Sequence, residues 1–359
     1  MRLLVVTNDY PPKPGGIQQY LVNLLDAMPH DVRVLAPADP LAADEPSVHR
    51  FGKAFMWPTR AVKRWIVAQA VDFRPDVILF GAPHPLAWLG PVLREELGVP
   101  YAVLCHGAEI TVPAAFPITR QLLRRPLKSA DALFAVSEFT QQRLQRLTGR
   151  TASYIGGGVD PDGFSAIHRG VPKGPITVGC VARFVPRKGQ LRLIKAAERL
   201  FDQGITVNLL LVGRGRQEAV IRKAAASSPV SIRVEVDVPW QRLPELYGEM
   251  DVFCMPCKSR WGGLEVEGLG LVFLEAASTG LVVIAGDSGG SPETVREGST
   301  GYVVSSIDEI VAAISALDAD RELLVDMGTA GRRLVEQEFT WGAVASRMQP
   351  ELDRIVAES

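Results

Sequence analysis

The stretch Glu265-Val-Glu-Gly-Leu-Gly-Leu-Val-Phe-Leu-Glu275 decides the reading of this chain. Two carboxylates, Glu267 and Glu275, flank a Gly-Leu-Gly loop that runs into an apolar helix. Glycines let the backbone turn tightly and approach a ligand closely. The helix start behind them offers unpaired N–H groups and a positive dipole end, which suit a phosphate. Glu275 falls about two turns beyond Glu267, so the two can address one ligand at different heights. A carboxylate only accepts hydrogen bonds, and a sugar or ribose hydroxyl is a natural donor to it. By composition alone the loop fits a capped helix with a solvated acid at each end equally well.

Working outward, short apolar runs alternate with helical patterns. Upstream, candidate strands cover 3–7, 32–36, 77–80, 101–105, 132–136 and 152–155, with helices over 18–28, 60–71, 85–97 and 138–147. The strands are rich in β-branched residues and do not alternate, which fits burial on both faces of a parallel sheet. The turn-rich, aperiodic stretch 156–175 reads as the linker. A second series follows, with strands over 176–182, 207–212, 232–236, 252–255, 282–285 and 301–304. Its helices cover 190–201, 217–226, 243–250, 272–278 and 291–297. The expectation is an α/β chain of two doubly wound Rossmann-like domains, 1–165 and 166–340, with a last helix over 341–356. Nearly every motif described below follows a strand, and ligands bind at the carboxyl ends of parallel strands, so the motifs should converge on a central cleft.

The 359 residues are ample for two domains, and 47% hydrophobic with 22% charged residues is ordinary for a globular protein. A formal net charge of −1 gives no global field for nucleic acid, so none is expected as a partner. The N-terminus opens on the strand-like Arg2-Leu-Leu-Val-Val6 without a signal-peptide pattern, and no apolar run reaches spanning length. A cytoplasmic location is expected. Cys254-Met-Pro-Cys257 has redox spacing but lacks a second pair or a nearby His, so it reads as a strand end with one buried thiol.

The Glu-x7-Glu pair around a Gly-rich centre resembles the donor-site signature of retaining glycosyltransferases of family 4, which have the GT-B fold. Five further stretches match in the family's order. Pro11 to Ile17 is similar to its Gly-Gly-Ile loop, and His106-Gly107-x-Glu109 to its catalytic histidine turn. Gly179-Cys-Val-Ala-Arg183-Phe-Val-Pro-Arg187-Lys188-Gly189 resembles the basic diphosphate clamp, Leu211-Val-Gly-Arg-Gly215 the end of the next strand, and Ser288-Gly-Gly-Ser-Pro-Glu293-Thr the loop before a late helix. The resemblance implies that the last helix, 341–359, crosses back to the first domain.

It also implies roles. Glycosyl transfer expels a nucleotide diphosphate, and fixed cations at that leaving group are expected to dominate the rate. Arg183 and Lys188, with Arg187 between them, would bracket the diphosphate, Arg as a planar fork and Lys as a point charge. Glu275 would hold the ribose, Glu267 the transferred sugar, and Gly268, Leu269, Gly270, Leu271 and Val272 would supply backbone donors. Val238 would read the nucleobase through its backbone, although Val236-Asp-Val-Pro-Trp240 departs from the family's usual turn. Gly16 would touch the donor phosphates. His106 would contact the sugar near the reacting carbon, Glu109 would orient that turn, and Gln18, Arg60 and Gly107 would lie toward the acceptor. With two cations and a helix end available, no metal and no cofactor are expected.

The combination of Val-Pro-Arg-Lys-Gly-Gln190 with the segment Met255 to Gly270 is similar to the bacterial mannosyltransferases that use GDP-mannose to extend phosphatidylinositol mannoside. That likeness implies a glycolipid acceptor, an α-1,6 linkage and peripheral attachment to the inner face of the cell membrane. Two stretches, 51–65 and 118–128, mix Lys and Arg with Trp, Phe and Leu, which suits an anionic membrane surface and equally a solvated helix face. Other readings on the same fold are a UDP-sugar transferase with a soluble acceptor, a nucleotide-sugar 2-epimerase, and a non-catalytic nucleotide-sugar binder.

Overall fold

The structure is a computed structural model that describes residues 1–167 and 170–359. It divides into two compact units, Met1–Gly158 with Trp341–Ser359, and Val159–Thr340.

The first unit opens with β1 (Arg2–Val6), α1 (Gly16–Asp26), β2 (Asp31–Pro37), β3 (Val48–Phe51), α2 (Arg60–Phe73) and β4 (Val77–Phe80). It continues with α3 (Gly90–Leu97), β5 (Tyr101–Cys105), α4 (Ala108–Ala115), α5 (Pro117–Ser129), β6 (Ala132–Ala135), α6 (Glu138–Thr148) and β7 (Ser153–Tyr154). The sheet order is β3-β2-β1-β4-β5-β6-β7, with every pair parallel. All of β4, β5 and β6 is buried, which is why these runs are apolar without alternation. Helix starts are capped where the sequence has a short hydroxyl: Thr59 accepts from the Val62 amide and Ser137 from the Thr140 amide. β3 escapes sequence reading because Val-His-Arg-Phe lies at the sheet edge with every residue half-buried. The helices α4 and α5 also escape it: α4 is short, and the two carry Pro113 and Pro126 within them.

The second unit contains β8 (Ile176–Val181), α7 (Gln190–Asp202), β9 (Val207–Val212), α8 (Glu218–Ser227), β10 (Ser231–Glu235), α9 (Leu243–Gly248) and β11 (Val252–Met255). It ends with α10 (Leu271–Ser278), β12 (Val282–Gly286), β13 (Gly301–Val304), α11 (Ile307–Ala319) and α12 (Glu322–Glu338). The sheet, again parallel, runs β10-β9-β8-β11-β12-β13. The helix expected over 291–297 is only a 3-10 turn, Ser291–Thr294. Residues 159–165 belong to this unit, so the division falls earlier in the chain than the sequence reading placed it.

The last helix, α13 (Trp341–Ala357), returns to the first unit, as the resemblance implied. Trp341 stacks edge-on against Tyr20 with ring centroids 5.1 Å apart, and the Arg347 Nε donates to the Ile155 carbonyl at 2.8 Å. Among the described residues no helix is long and apolar enough to cross a membrane.

Candidate active site

Each sheet reverses its strand order once, between β1 and β4 and between β8 and β11. In parallel α/β sheets the crevice beyond the strand ends at that point is where ligands bind. Of the expected site residues, Gly16 and Gln18 follow β1, Arg183 to Lys188 follow β8 and Glu267 to Glu275 follow β11, whereas His106, Gly107 and Glu109 follow β5, Arg60 follows β3 and Val238 follows β10.

In the second unit the chain leaves β8 into the turn Pro186–Lys188 and then α7. Lys188 is buried, and its Nζ lies 2.7 Å from Glu267 Oε2. Arg187 ion-pairs with the same oxygen, and its Nε also lies 3.8 Å from Glu265. Arg183 is exposed and forms no ion pair among the described residues. The cations gathered at Glu267 are therefore Arg187 and Lys188, whereas the sequence reading put Arg183 and Lys188 in the lead. Burial alone would push the Glu267 carboxyl up. Lys188 and Arg187 outweigh burial and hold it below its ordinary value.

The backbone of Glu267 is held as firmly as its side chain. Its amide donates to Ser288 Oγ at 3.2 Å, and its carbonyl accepts from the Gly290 amide at 3.1 Å. Between those two bonds Gly289 has φ +61°, and a Cβ there would fall 1.9 Å from the Glu267 carbonyl oxygen, so only glycine fits. Cys257 helps fix the same loop, its thiol 3.3 Å from Ser291 Oγ. Cys254 and Cys257 are both buried free thiols, so the Cys-x-x-Cys spacing belongs to packing.

Glu267 lies in the loop before α10, and Glu275 lies in the second turn of that helix, closer along the element than the sequence spacing suggested. Gly270 at the N-cap has φ +92°, and no side chain caps the first amides, which include those of Leu271 and Val272. Gly268 and Leu269 complete the loop. Glu275 is buried and accepts from the Tyr247 hydroxyl at 2.8 Å. Burial pushes its carboxyl up to about 7, with Tyr247 opposing the shift. Tyr247 was missed in the sequence because nothing local distinguishes it from a core aromatic. Val238 is half-buried just after Asp237, a non-glycine residue with φ +52°.

In the first unit, His106 follows β5 and is buried. Its Nε2 lies 3.0 Å from the Gly81 carbonyl at the end of β4. A carbonyl only accepts, so Nε2 donates to it. The Tyr20 ring meets the imidazole edge-on at 5.2 Å. Glu109 Oε1 accepts from the amides of His106 (2.5 Å) and Gly107 (3.1 Å), which ties the turn together. Gln18 donates to Asp9 Oδ1 at 3.0 Å. Burial pushes the Asp9 carboxyl up, and His106 and Lys13 partly counter that. Thr7-Asn8-Asp9, directly after β1, carried a usable signal that sequence reasoning passed over. Asn8 binds the backbone of Met56 through both ends of its amide, at 2.8 and 3.0 Å. Met56 is therefore buried and not part of a surface patch. Trp65 also packs inward, 5.2 Å from Phe51, which leaves Phe55 and Trp57 as the exposed aromatics of that stretch. Gly16 opens α1, and Arg60 is exposed at the start of α2.

Asp-x-Asp triplets, a common way to hold a metal–diphosphate, occur at Asp160-Pro-Asp162 and Asp318-Ala-Asp320, and sequence reasoning overlooked both. Asp160 accepts from the Asp162 amide, and Asp318 pairs with Arg321 at 2.5 Å.

Two parallel Rossmann-like units, the second with a cationic turn and a buried Glu pair at its switch point, define a glycosyltransferase of the GT-B class. Residues 14–162 match the family described as Glycosyltransferase Family 4, and residues 166–334 match Glycosyl transferases group 1. The chain belongs to glycosyltransferase family 4. It is 35% identical, over 97% of both chains, to the GDP-mannose-dependent alpha-(1-6)-phosphatidylinositol monomannoside mannosyltransferase of Mycobacterium tuberculosis. It is 33% identical, over 97% of this chain and 96% of the relative, to the GDP-mannose-dependent monoacylated alpha-(1-6)-phosphatidylinositol monomannoside mannosyltransferase of Corynebacterium glutamicum. Among solved structures, a glycosyltransferase from Rickettsia africae superposes with a TM-score of 0.82 at 17% identity, covering 100% of this chain and 99% of that one. Sucrose-phosphate synthase from Thermosynechococcus elongatus gives 0.79 at 20% identity, covering 100% of both. These two speak for the fold alone.

Proposed function

We propose that the protein transfers mannose from GDP-mannose to a phosphatidylinositol mannoside, with retention of anomeric configuration, an α-1,6 linkage and no metal. The observation that carries this reading is the Arg187–Lys188–Glu267 cluster at the switch point, with Lys188 and Glu267 buried, in a chain whose near full-length relatives are named as GDP-mannose-dependent phosphatidylinositol monomannoside mannosyltransferases. Arg183, Arg187 and Lys188 would take the diphosphate as charge builds on it, a task for fixed cations that need no reorganisation. Two of these cations, Arg187 and Lys188, pair with Glu267. Donor binding would exchange that carboxylate for phosphate oxygens and free Glu267 to accept from sugar hydroxyls. Glu275 would accept from the ribose, and the open start of α10 would face the phosphates. In the first unit, Gly16 would meet the donor phosphates, His106 the transferred sugar, and Gln18, Arg60, Gly107 and Glu109 would line or orient the acceptor side.

The glycolipid acceptor calls for attachment to an anionic membrane face. The exposed Phe55 and Trp57, 4.9 Å apart, and the cations of α5 suit that surface. Calorimetry with GDP, UDP and ADP, with and without EDTA, tests the donor. GDP-selective binding that survives chelation supports the reading and leads to turnover of GDP-mannose with phosphatidylinositol monomannoside, with the product linkage and anomer read by NMR. Preference for UDP would discard the mannosyl assignment, and loss of binding with EDTA would discard metal independence.

A further inference from the structure

We infer that Tyr247, on α9, is a positioning residue for the nucleotide ribose: its hydroxyl holds one oxygen of Glu275 and so presents the other to the sugar hydroxyls. This rests on the proposed ribose role of Glu275 and names the residue through which that role is exercised. The Tyr247 hydroxyl donates to Glu275 Oε2 at 2.8 Å and lies 3.4 Å from the Val272 carbonyl. It has one proton, and the shorter, charged acceptor takes it. The Glu275 carboxylate takes no other hydrogen bond among the described residues. The bond therefore fixes the plane of the carboxylate and leaves Oε1 to accept from a ribose. Both side chains are buried, where little water competes for the bond.

Tyr247 is itself held in place. Its ring packs against Phe164 at 5.8 Å and Phe253 at 5.9 Å, and Phe253 meets Phe273 edge-on at 5.8 Å. Phe273 stands two residues before Glu275 on α10. This run of rings ties α9 to α10 across β11, so the hydroxyl and the carboxylate keep their spacing. Packing alone would be served by a fourth Phe. A buried hydroxyl costs stability unless it is bonded, and here its partner is the ribose acid.

The surrounding charges agree with that geometry. Burial, with Glu275 beside it, pushes the Tyr247 phenol well above its ordinary value, so it stays protonated and can donate. Its bond to Glu275 opposes the upward push of burial on that carboxyl, and Lys188 acts in the same direction. From α12, Arg332 binds the carbonyl and hydroxyl of Ser278, three residues further along α10. Cys180 on β8, beside Tyr247, is a buried free thiol. Tyr247 thus favours the ionised Glu275, the form with the most acceptor capacity for two ribose hydroxyls.

The test is calorimetry of the full chain with GDP and with 2′,3′-dideoxy-GDP across about pH 6 to 9. The ratio of the two affinities isolates the ribose hydroxyls, because both nucleotides share the titration of base and phosphates. In the unmodified protein this ratio should climb as Glu275 ionises. Tyr247→Phe keeps the ring and removes one hydrogen bond to the charged form, so the climb should move up by about one pH unit. The ratio should then fall about fivefold at pH 7 and much less at pH 9. Tyr247→Phe added to Glu275→Gln should leave the flat ratio of the single Glu275 variant unchanged, since the first acts through the second. An unmoved climb in Tyr247→Phe, an equal loss on both nucleotides, or a further fall in the double variant would overturn the inference alone. A ratio without pH dependence in the unmodified protein, with GDP still bound, would remove Glu275 from the ribose and the inference with it.

Discussion

The two units share one architecture and place their charges in opposite ways. Among the described residues the first unit buries no Asp, Glu, Lys or Arg, and its cations on α2 and α5 are exposed or half-buried. The second unit buries Lys188, Glu267 and Glu275, all in the loops and helices that leave β8 and β11. Taking an ion out of water costs several kcal/mol, about, even after relaxation. A fold built for packing alone would avoid three of them. The second unit therefore holds a cation, Lys188, in advance in a low-dielectric site, where it would act strongly on a developing anion. The first unit offers charge at its surface, where each ion contributes little and salt screens it. One arrangement suits chemistry, the other attachment.

The sharpest way to break this comparison is Lys188→Ala. Turnover of GDP-mannose should fall by about a hundredfold or more, as when a fixed donor to a developing anion is removed. Near-normal turnover would mean that the buried cation serves packing only.

Glu267→Gln comes next. It leaves Lys188 without its counter-ion and Arg187 with Glu265 alone, 3.8 Å away, so unfolding stability should drop by about 3 kcal/mol. A diphosphate supplies the missing charge, so GDP should raise the melting temperature of the variant more than that of the parent. Equal shifts would detach these cations from the diphosphate.

A smaller effect separates the two buried acids. Glu267 is held below its ordinary 4.5, so it contributes stability above that value that is lost on acidification. Glu275 is raised to about 7, so the folded state binds the extra proton, and this contribution is full below 4.5 and lost as pH rises through 7. If the ribose hydroxyls donate to the ionised form, GDP affinity should climb roughly tenfold between about pH 6 and 8. Glu275→Gln should flatten that climb, measured by calorimetry in buffers of matched ionisation heat. A slope that survives the substitution would place the titration elsewhere.

Salt gives the mildest test. Raising ionic strength should weaken vesicle attachment, which uses exposed charge, well before it weakens GDP binding at buried charge. Parallel weakening of both would erase the distinction between the units.

Much of this was legible beforehand. The strands in 77–80, 101–105 and 252–255 were plain, since a β-branched apolar run bounded by turns has one common fate. The loops carrying Glu267, Lys188 and His106 were legible through their resemblance to motifs of the family in the family's order; by composition alone each fitted a structural turn as well. β3, α4 and α5 were not, because short, edge-placed or proline-broken elements carry weak periodicity.

Local order, then, was determined by the sequence alone for most of the strands, the edge strand β3 excepted, and for their parallel run in two series. Only the tertiary structure decided partnership. It sent Met56 inward onto Asn8, set Tyr247 against Glu275, brought Arg187 and not Arg183 to Glu267, and returned Trp341–Ala357 to the first unit. Periodicity records which face of an element is apolar. It does not record which distant side chain will fill that face or neutralise a buried charge, because that choice depends on how strands remote in sequence come to lie side by side.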